Sequence, residues 1–334
     1  MTVFYACFRI FMRLMLRLYY HKIKVEGIEN VPKRVPLLVT PNHQNALMDP
    51  LLVGAFAPIP LHYLTRSDVF NKWTNPILRL FNMMPVYRIR DGYSKLALND
   101  KIFTDCSAIF QSKGSVLIFA EGNHGKEYFL RPLTKGASRL ALKSQAELNE
   151  DLMVLPVGLN FFEHRKPRST VLIKFGEPIS VRDYLADYEE NQSTGLIKMR
   201  EAISIAMKST LVIPDETQDY ELRKQAIFQP KNESLSFKEL RSIDPTKVKT
   251  EKREKRHHRL AKILNPIPFF VIARKLSNVE DVVFHSTLKF SIALIAFPLW
   301  WLSVFLLLFW SVGINIAILA VIVMILGLFY SYQR

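Results

Sequence analysis

The sequence is poor in cysteine and has no glycine-rich loop of the kinds that cradle nucleotide phosphates. Its 334 residues include two cysteines, Cys7 and Cys106, which lie far apart and match no metal-site spacing. A disulfide framework is therefore not expected, and both side chains are predicted to pack as ordinary apolar groups. Internal repeats and low-complexity tracts are also absent from the sequence.

Acidic residues are scarce relative to basic ones. The chain has 30 Asp and Glu against 45 Lys and Arg, which gives a formal net charge of +15. Such a surplus indicates an anionic partner, either nucleic acid or the negative face of a bilayer. The hydrophobic fraction of 49% and the apolar C-terminal region favour the bilayer, so a lipid bilayer and not nucleic acid is the predicted partner.

Charged residues are missing altogether from Phe290 to Gln333. A spanning helix needs about 20 apolar residues, and this run is about twice that length. The turn-prone stretch SVGIN, from Ser311 to Asn315, interrupts it near its middle. We therefore predict a transmembrane hairpin in residues 290–331, with helices at about 290–310 and 314–331. The basic residues that flank it predict that both ends face the cytosol.

The N-terminal segment, residues 1–24, is apolar but carries Arg9, Arg13 and Arg17. No small-residue cleavage site follows, so a signal peptide is not predicted. Steps of four place the arginines along one stripe of a helix. The pattern predicts an amphipathic helix in the membrane interface. The alternative is a helix that faces the core and leaves its arginine stripe in solvent.

Residues 25–213 are typical of an α/β domain. Helical stretches separate short, nearly continuous apolar runs, as expected of strands buried on both faces. This alternation predicts a mostly parallel or mixed sheet flanked by helices. The main runs are VPLLVT, LHYLT, SVLIFA, LMVLPVGLNFF and TVLIKFG.

Residues 214–289 form a more polar region that we interpret as a basic helical linker. It contains the run KTEKREKRHHRLAK and several prolines. Such a run is either a solvated helix face or a clamp on anionic lipid headgroups.

Polar side chains follow the apolar runs, where α/β proteins collect their ligands. After VPLLVT come Asn42, His43 and Asp49, and Arg66 follows LHYLT. A neutral imidazole suits proton abstraction near neutral pH, and a neighbouring carboxylate can fix its tautomer. Because no serine or cysteine nucleophile is evident nearby, such a couple would activate a hydroxyl of the substrate. Arginines would bind an anionic group on the substrate, and we expect a phosphate.

Four ordered blocks resemble the glycerophosphate and lysophosphatidate acyltransferases. The blocks are NHQNALMD, MPVYRIRDG, FAEGNHG and VLPVGL, within about residues 40–160. The resemblance implies that His43 is the general base, Asp49 is its partner and Arg88 binds the acceptor phosphate. Further binding residues are expected in the third block and just after it: Glu121, Gly122, Asn123, His124 and Lys126.

The sequence departs from the family pattern at two points. Five residues separate His43 from Asp49 where the family has four, which resembles a subgroup that acylates glycerol 3-phosphate or dihydroxyacetone phosphate. The extra residue would rotate the carboxylate by about 100° on an ideal helix, so a local turn must restore the couple or Asp49 has another role. In the third block Ala120 replaces proline, and His124 stands where an arginine is usual.

The resemblance implies transfer of a fatty acyl group from acyl-CoA or an acyl carrier protein to a hydroxyl of a glycerol-3-phosphate-type acceptor. The main prediction is 1-acylglycerol 3-phosphate, and glycerol 3-phosphate or dihydroxyacetone phosphate is the alternative. No cofactor or metal is expected, although His43, Asp49, Glu121 and His124 include metal-ligand types. Backbone N–H groups of the first loop would stabilise the oxyanion. The enzyme would be an integral membrane protein with its site at the cytosolic face. A hydrolase and a non-catalytic lipid-binding scaffold are the rival classes.

Overall fold

The computed structural model describes residues 3–87, 97–247 and 259–330. Its centre is one mixed sheet of eight strands in the order β1-β7-β6-β2-β5-β3-β4, with β8 beside β6. All pairs are parallel except β6 with β7 and β6 with β8. The strands are β1 (Lys22–Glu26), β2 (Leu37–Pro41), β3 (His62–Arg66), β4 (Met83–Val86), β5 (Ser115–Leu117), β6 (Met153–Phe161), β7 (Thr170–Phe175) and β8 (Ile179–Ser180).

Helices cover both faces of this sheet. The α-helices in the described ranges are α1 (Val3–Tyr19), α2 (Met48–Phe56), α3 (Thr74–Leu80), α4 (Leu98–Gln111), α5 (Lys135–Glu147), α6 (Leu185–Glu190), α7 (Gln192–Ser209), α8 (Tyr220–Ile227), α9 (Phe237–Arg241), α10 (Arg259–Leu264), α11 (Pro266–Leu276), α12 (His285–Val312) and α13 (Ile314–Tyr330).

Alternate residues of β2 point into two separate cores. Leu37 and Val39 pack with α1 and α2 on one face, whereas Leu38 packs with α4, α5 and α7 on the other. Because both faces are covered, all five residues of the strand are buried, including Thr40. The predicted mixed sheet flanked by helices is therefore confirmed.

The N-terminal segment divides into a helix and a strand. α1 ends at Tyr19, and the edge strand β1 (Lys22–Glu26) begins inside the segment 1–24 that was predicted as helix. Two of the three arginines in the stripe bond the protein, while Arg17 is exposed. Arg13 donates two hydrogen bonds to the carbonyl oxygen of Ala55, at 3.0 and 2.7 Å. Arg9 donates one hydrogen bond, through Nη2, to the carbonyl oxygen of Ala57. The arginines thus fasten α1 to the end of α2, where a positive charge also favours the helix dipole.

A second stripe of α1 is apolar and exposed. Its members recur at helical spacing along the side that faces away from the sheet: Phe4, Ile10, Phe11, Leu14 and Leu18. The helix therefore has two apolar faces, one packed in the core and one open.

Two apolar helices lie in the predicted C-terminal region, although α12 begins at His285 and not near residue 290. Gly313, at a φ of +93°, separates α12 from α13, inside the predicted turn. In the described part of the chain one helical stretch, Val282–Val312, is long and apolar enough to cross a membrane, and Ile314–Tyr330 is a shorter apolar helix.

α10 and α11 pack on these apolar helices and do not run free as a linker. Asn265, between α10 and α11, is fully buried and accepts a hydrogen bond from Trp301 Nε1 at 2.8 Å. Its own amide donates to the carbonyl oxygen of Met324 at 3.4 Å. Most of the basic run upstream, residues 248–258, lies outside the described residues.

Candidate active site

The site lies at the carboxyl ends of β2 and β5, which are neighbouring parallel strands. His43 comes two residues after β2, and Glu121 comes four residues after β5. Because parallel strands end at the same edge of a sheet, the loops that carry these two side chains meet there. The backbone N–H of His43 donates to Glu121 Oε1 at 2.7 Å, and its carbonyl accepts from the N–H of Gly125 at 3.0 Å.

His43 and Asp49 form a hydrogen-bonded couple despite the extra residue between them. His43 Nδ1 lies 2.8 Å from Asp49 Oδ2, and Asp49 is fully buried in the first turn of α2. The loop closes because Ala46 adopts a left-handed conformation, with φ at +44°. The backbone turn that the longer spacing required is therefore present at Ala46.

The backbone donors of the first loop are already occupied. Asp49 Oδ2 also accepts from the N–H groups of Gln44 and Asn45, at 2.8 and 2.7 Å. The N–H of His43 is bonded to Glu121. A buried carboxylate needs several hydrogen-bond donors. The carboxylates of Asp49 and Glu121 together take the three backbone N–H groups of residues 43–45. The expectation that these N–H groups bind an oxyanion is therefore wrong for residues 43–45.

The imidazole of His43 is held on three sides but remains accessible. Its ring stacks on Phe119 at a centroid distance of 3.8 Å, and the ring of His124 meets it edge-on at 5.6 Å. The side chain retains 16% of its exposure. Nε2 makes no hydrogen bond within the described ranges. Asp49 fixes the hydrogen on Nδ1, so a neutral ring presents a lone pair at Nε2.

Glu121 supports the loop of His43. Burial raises the pKa of the Glu121 carboxyl to about 7, while Arg131 and the His43 N–H favour its ionised form. Arg131 Nε lies 2.8 Å from Glu121 Oε2, and the same guanidinium bonds the carbonyl of Asn123. The acid thus joins two loops at the sheet edge, and its oxygens are turned toward protein donors.

Gly122 forms the turn that follows Glu121. Its φ is +77°, and a Cβ built on it would lie 2.8 Å from Thr134 Cγ2. Both features favour glycine, since an L side chain is strained there and meets a neighbouring residue.

The other predicted binding residues differ in their placement. Asn123 and Lys126 are exposed, and Lys126 makes no hydrogen bond or ion pair with residues in the described ranges. His124 faces His43 and lies 3.1 Å, through Nε2, from Asp281 Oδ2. Arg88, together with Arg90, lies outside the described residues.

Three residues of the site escaped prediction. Arg131 lies in the stretch RPLTKGASRLAL. This stretch resembles the family, but the resemblance does not identify either of its arginines as a site residue. His164 follows β6, and its Nε2 lies 3.1 Å from Gln44 Oε1. Burial lowers the pKa of His164 to about 3, so its ring is neutral and braces the first loop. Asp281 carries no sequence signal that connects it to the other residues.

Metal-ligand residues do not gather into a binding cluster here. Within residues 3–87, 97–247 and 259–330, no three His, Cys, Asp or Glu side chains are grouped so as to hold an ion.

Comparisons with known proteins match part of the chain to acyltransferases. Residues 22–160 match the family model described as Acyltransferase. Two Saccharomyces cerevisiae proteins match part of the chain. Glycerol-3-phosphate O-acyltransferase 2 is 27% identical over 131 residues, which are 39% of this chain and 17% of that protein. Glycerol-3-phosphate O-acyltransferase 1 is 28% identical over 105 residues, or 31% of this chain and 14% of its own length.

The chain therefore spans less than a fifth of the length of the curated relatives it matches. Among solved structures, the 1-acyl-sn-glycerophosphate acyltransferase PlsC from Thermotoga maritima superposes with a TM-score of 0.43 and 19% identity, over 62% of this chain and 78% of that one. Residues 22–160, which hold both the His43 loop and the Glu121 loop, therefore form a domain of the acyltransferase family.

Proposed function

We propose that the protein transfers a fatty acyl group from an acyl thioester to a hydroxyl of a glycerol-phosphate acceptor. The observation that carries this proposal is the couple of His43 and Asp49, joined at 2.8 Å with Nε2 left accessible. It is the arrangement that general-base catalysis requires. Neither cysteine belongs to this site, since Cys7 lies on α1 and Cys106 is buried in α4.

In the proposed reaction no acyl-enzyme forms. His43 Nε2 takes the proton of the acceptor hydroxyl while that oxygen attacks the thioester carbonyl. Asp49 stabilises the imidazolium that results. The carbon–sulfur bond then breaks, the thiolate of coenzyme A or of an acyl carrier protein leaves, and the imidazolium returns the proton to it. The products are an ester and a free thiol.

The acceptor phosphate requires positive charge near the couple. Arg88 remains the proposed contact on the strength of its motif. Arg66, at the carboxyl end of β3, is close enough to His124 for its charge to lower the pKa of that imidazole. We propose that Arg66 adds to the field that attracts the phosphate.

Two observations favour glycerol 3-phosphate as the acceptor. Both yeast relatives are named for this substrate, and the spacing of five residues between His43 and Asp49 resembles the subgroup that acylates it. 1-Acylglycerol 3-phosphate remains the second candidate because the motif blocks resemble enzymes of both kinds.

A transfer assay with purified protein tests the function. Labelled acyl-CoA would be supplied with glycerol 3-phosphate, with 1-acylglycerol 3-phosphate, or with no acceptor. We expect His43→Ala to lose about 10²–10⁴-fold in rate. His62→Ala is the matched control. This half-buried imidazole lies at the start of β3, at the amino ends of the parallel strands, whereas the site lies at their carboxyl ends.

Two results would reject the proposal. Release of free fatty acid without any acceptor product would indicate a hydrolase. A loss of less than about tenfold in His43→Ala would contradict the role of general base.

We also propose that the site stands at the cytosolic face of a membrane. The apolar stretch Val282–Val312 is long enough to span a bilayer, and the open apolar stripe of α1 would lie in the interface. Cysteines introduced one at a time by Glu216→Cys and Asn315→Cys, in a chain that lacks the exposed Cys7 and keeps the buried Cys106, test the topology.

In sealed vesicles with the cytosolic face outward, an impermeant maleimide should label the Glu216→Cys variant at once. The Asn315→Cys variant, at the hairpin turn, should react only after the vesicles are opened. Equal labelling of both variants in sealed vesicles would contradict a spanning hairpin.

A further inference from the structure

A segment far outside the matched domain closes one side of the active site. We call residues 281–287, which lead into α12, the pre-helix segment. Asp281 contacts His124 at 3.1 Å, and the ring of Phe284 meets the ring of His124 edge-on at 4.8 Å. Thr287 Oγ1 accepts a hydrogen bond from the backbone N–H of Leu47 at 3.2 Å. The segment therefore touches both loops that build the site.

His124 and Asp281 form a second histidine–carboxylate couple beside the first. A carboxylate can only accept, so the hydrogen between them resides on His124 Nε2. Asp281 is the less buried partner, and its other oxygen, Oδ1, accepts from the N–H of Val283 at 3.1 Å. These bonds hold the carboxylate in place, and the carboxylate in turn holds the imidazole.

The second nitrogen of His124 is available to a ligand. Burial is the largest influence on the ring and lowers its pKa, with the charges of His43 and Arg66 acting in the same direction and Asp281 opposing them. A neutral ring with its hydrogen on Nε2 has a lone pair at Nδ1. That nitrogen makes no hydrogen bond to the part of the chain that the structure describes.

His124 and His43 are placed to read two neighbouring groups of one substrate. Their ring centroids are 5.6 Å apart and the rings are nearly perpendicular, at 86°. A small acceptor bound between these rings could therefore present one hydroxyl to each. A cationic arginine at position 124 would suit phosphate, whereas a neutral imidazole suits a hydroxyl donor.

We propose that His124, positioned by Asp281, accepts a hydrogen bond from a second hydroxyl of the acceptor, adjacent to the hydroxyl that His43 deprotonates. This inference rests on the acyl transfer proposed above and adds the substrate class, a phosphorylated vicinal diol. His124 is the specificity residue and Asp281 is a positioning residue. The inference favours glycerol 3-phosphate over 1-acylglycerol 3-phosphate, whose neighbouring hydroxyl is esterified.

The test compares glycerol 3-phosphate with 3-hydroxypropyl phosphate, which keeps the attacked hydroxyl and the phosphate but lacks the second hydroxyl. We expect the wild-type enzyme to prefer glycerol 3-phosphate by about tenfold or more in kcat/KM, because a site built to bind a hydroxyl discriminates against its absence. His124→Ala should lose most of this preference, because its kcat/KM should fall further with glycerol 3-phosphate than with the deoxy substrate.

Asp281→Asn provides the second variant and retains an oxygen for the Val283 N–H. Its amide can turn its NH₂ group toward His124, which would stabilise the other tautomer and hide the Nδ1 lone pair. We expect the same loss of preference, smaller in size. Asp244→Asn is the matched control, since this aspartate accepts from the N–H of Thr246 at 3.0 Å at the surface.

The outcomes separate the two proposals. If His124→Ala slows both substrates equally and the preference survives, the hydroxyl role is wrong while the acyl transfer stands. A wild-type preference for 1-acylglycerol 3-phosphate over glycerol 3-phosphate would likewise overturn the diol inference alone. If the wild-type protein acylates no glycerol-phosphate acceptor, the proposed function fails and this inference fails with it.

Discussion

The Glu121 carboxylate accepts a hydrogen bond from the backbone N–H of His43, 2.7 Å away, and so joins the acidic loop to the proposed general base. The pKa of this carboxyl rises from 4.5 to about 7 because of burial. The folded state therefore binds more protons than the unfolded state between these pH values, and its stability falls as pH rises through that window.

Glu121→Gln should remove this pH dependence. We expect the free energy of unfolding of the wild-type protein, relative to that of the variant, to fall by up to about 3 kcal/mol between pH 4.5 and 7.5. Thermal melts of both proteins in detergent across this range measure it. Glu150→Gln, which alters an exposed partner of Lys113, is the control and should show no such trend. A difference that stays constant with pH would contradict the raised pKa.

Asp49→Asn should impair catalysis more than folding. Asp49 Oδ2 accepts from the ring of His43, at 2.8 Å, and from the backbone N–H groups of Gln44 and Asn45. An amide that keeps its oxygen toward the two N–H groups cannot stabilise the imidazolium as a charge does, so we expect kcat to fall by about 10²–10⁴-fold. The transfer assay measures kcat, and circular dichroism checks the fold. Asp100→Asn, at an exposed partner of Lys143, should leave kcat unchanged.

Gly122→Ala should destabilise the protein by about 1–3 kcal/mol. The new methyl group meets Thr134 Cγ2. The alanine backbone must also keep a φ of +77°, which costs free energy for any residue with a Cβ. Thr134→Ser in the same chain should recover part of the loss, because it removes the methyl group that clashes. Gly136→Ala is the control, since a Cβ there has no atom closer than 3.8 Å. Equal melting temperatures for the two alanine variants would refute the account.

Arg13→Met should loosen α1 from α2. The substitution keeps the apolar stem but removes both hydrogen bonds to the carbonyl of Ala55 and the charge at the end of that helix. We expect a loss of about 1–2 kcal/mol in the free energy of unfolding. Arg17→Met is the comparison, since the exposed Arg17 lies over the ring of Phe56 at 5.8 Å. Similar losses in both variants would show that the carbonyl contact is not the cause.

The central strands could be predicted because both of their faces are buried. β2 and β6 read as continuous apolar runs, which is the pattern of a covered sheet. β1 could not, since KIKVE is an edge strand whose lysines reach the surface. Its place in the sheet depends on β7, which lies far along the chain.

The site was predictable only where motifs mark it. The order of the His43, Glu121 and β6 blocks indicated one edge of a sheet, and the structure brings the first two together. The turn at Ala46 was not predictable, because alanine carries no preference for a left-handed backbone. Asp281 was hidden for a different reason, since 157 positions separate it from His124 and only tertiary packing brings them together.

The first turn of α12 is hydrogen-bonded directly to the loops around the candidate active site. Ser286 bonds the carbonyl of His164, and Thr287 bonds the N–H of Leu47. In the membrane orientation proposed above, a change in bilayer thickness that tilts this helix would pull directly on the loop of His43. Initial rates in vesicles of graded acyl-chain length would reveal such mechanical sensitivity, and a rate independent of thickness would exclude it. The apolar helix would then transmit changes in bilayer thickness to the rate of acyl transfer, in addition to holding the protein in the membrane.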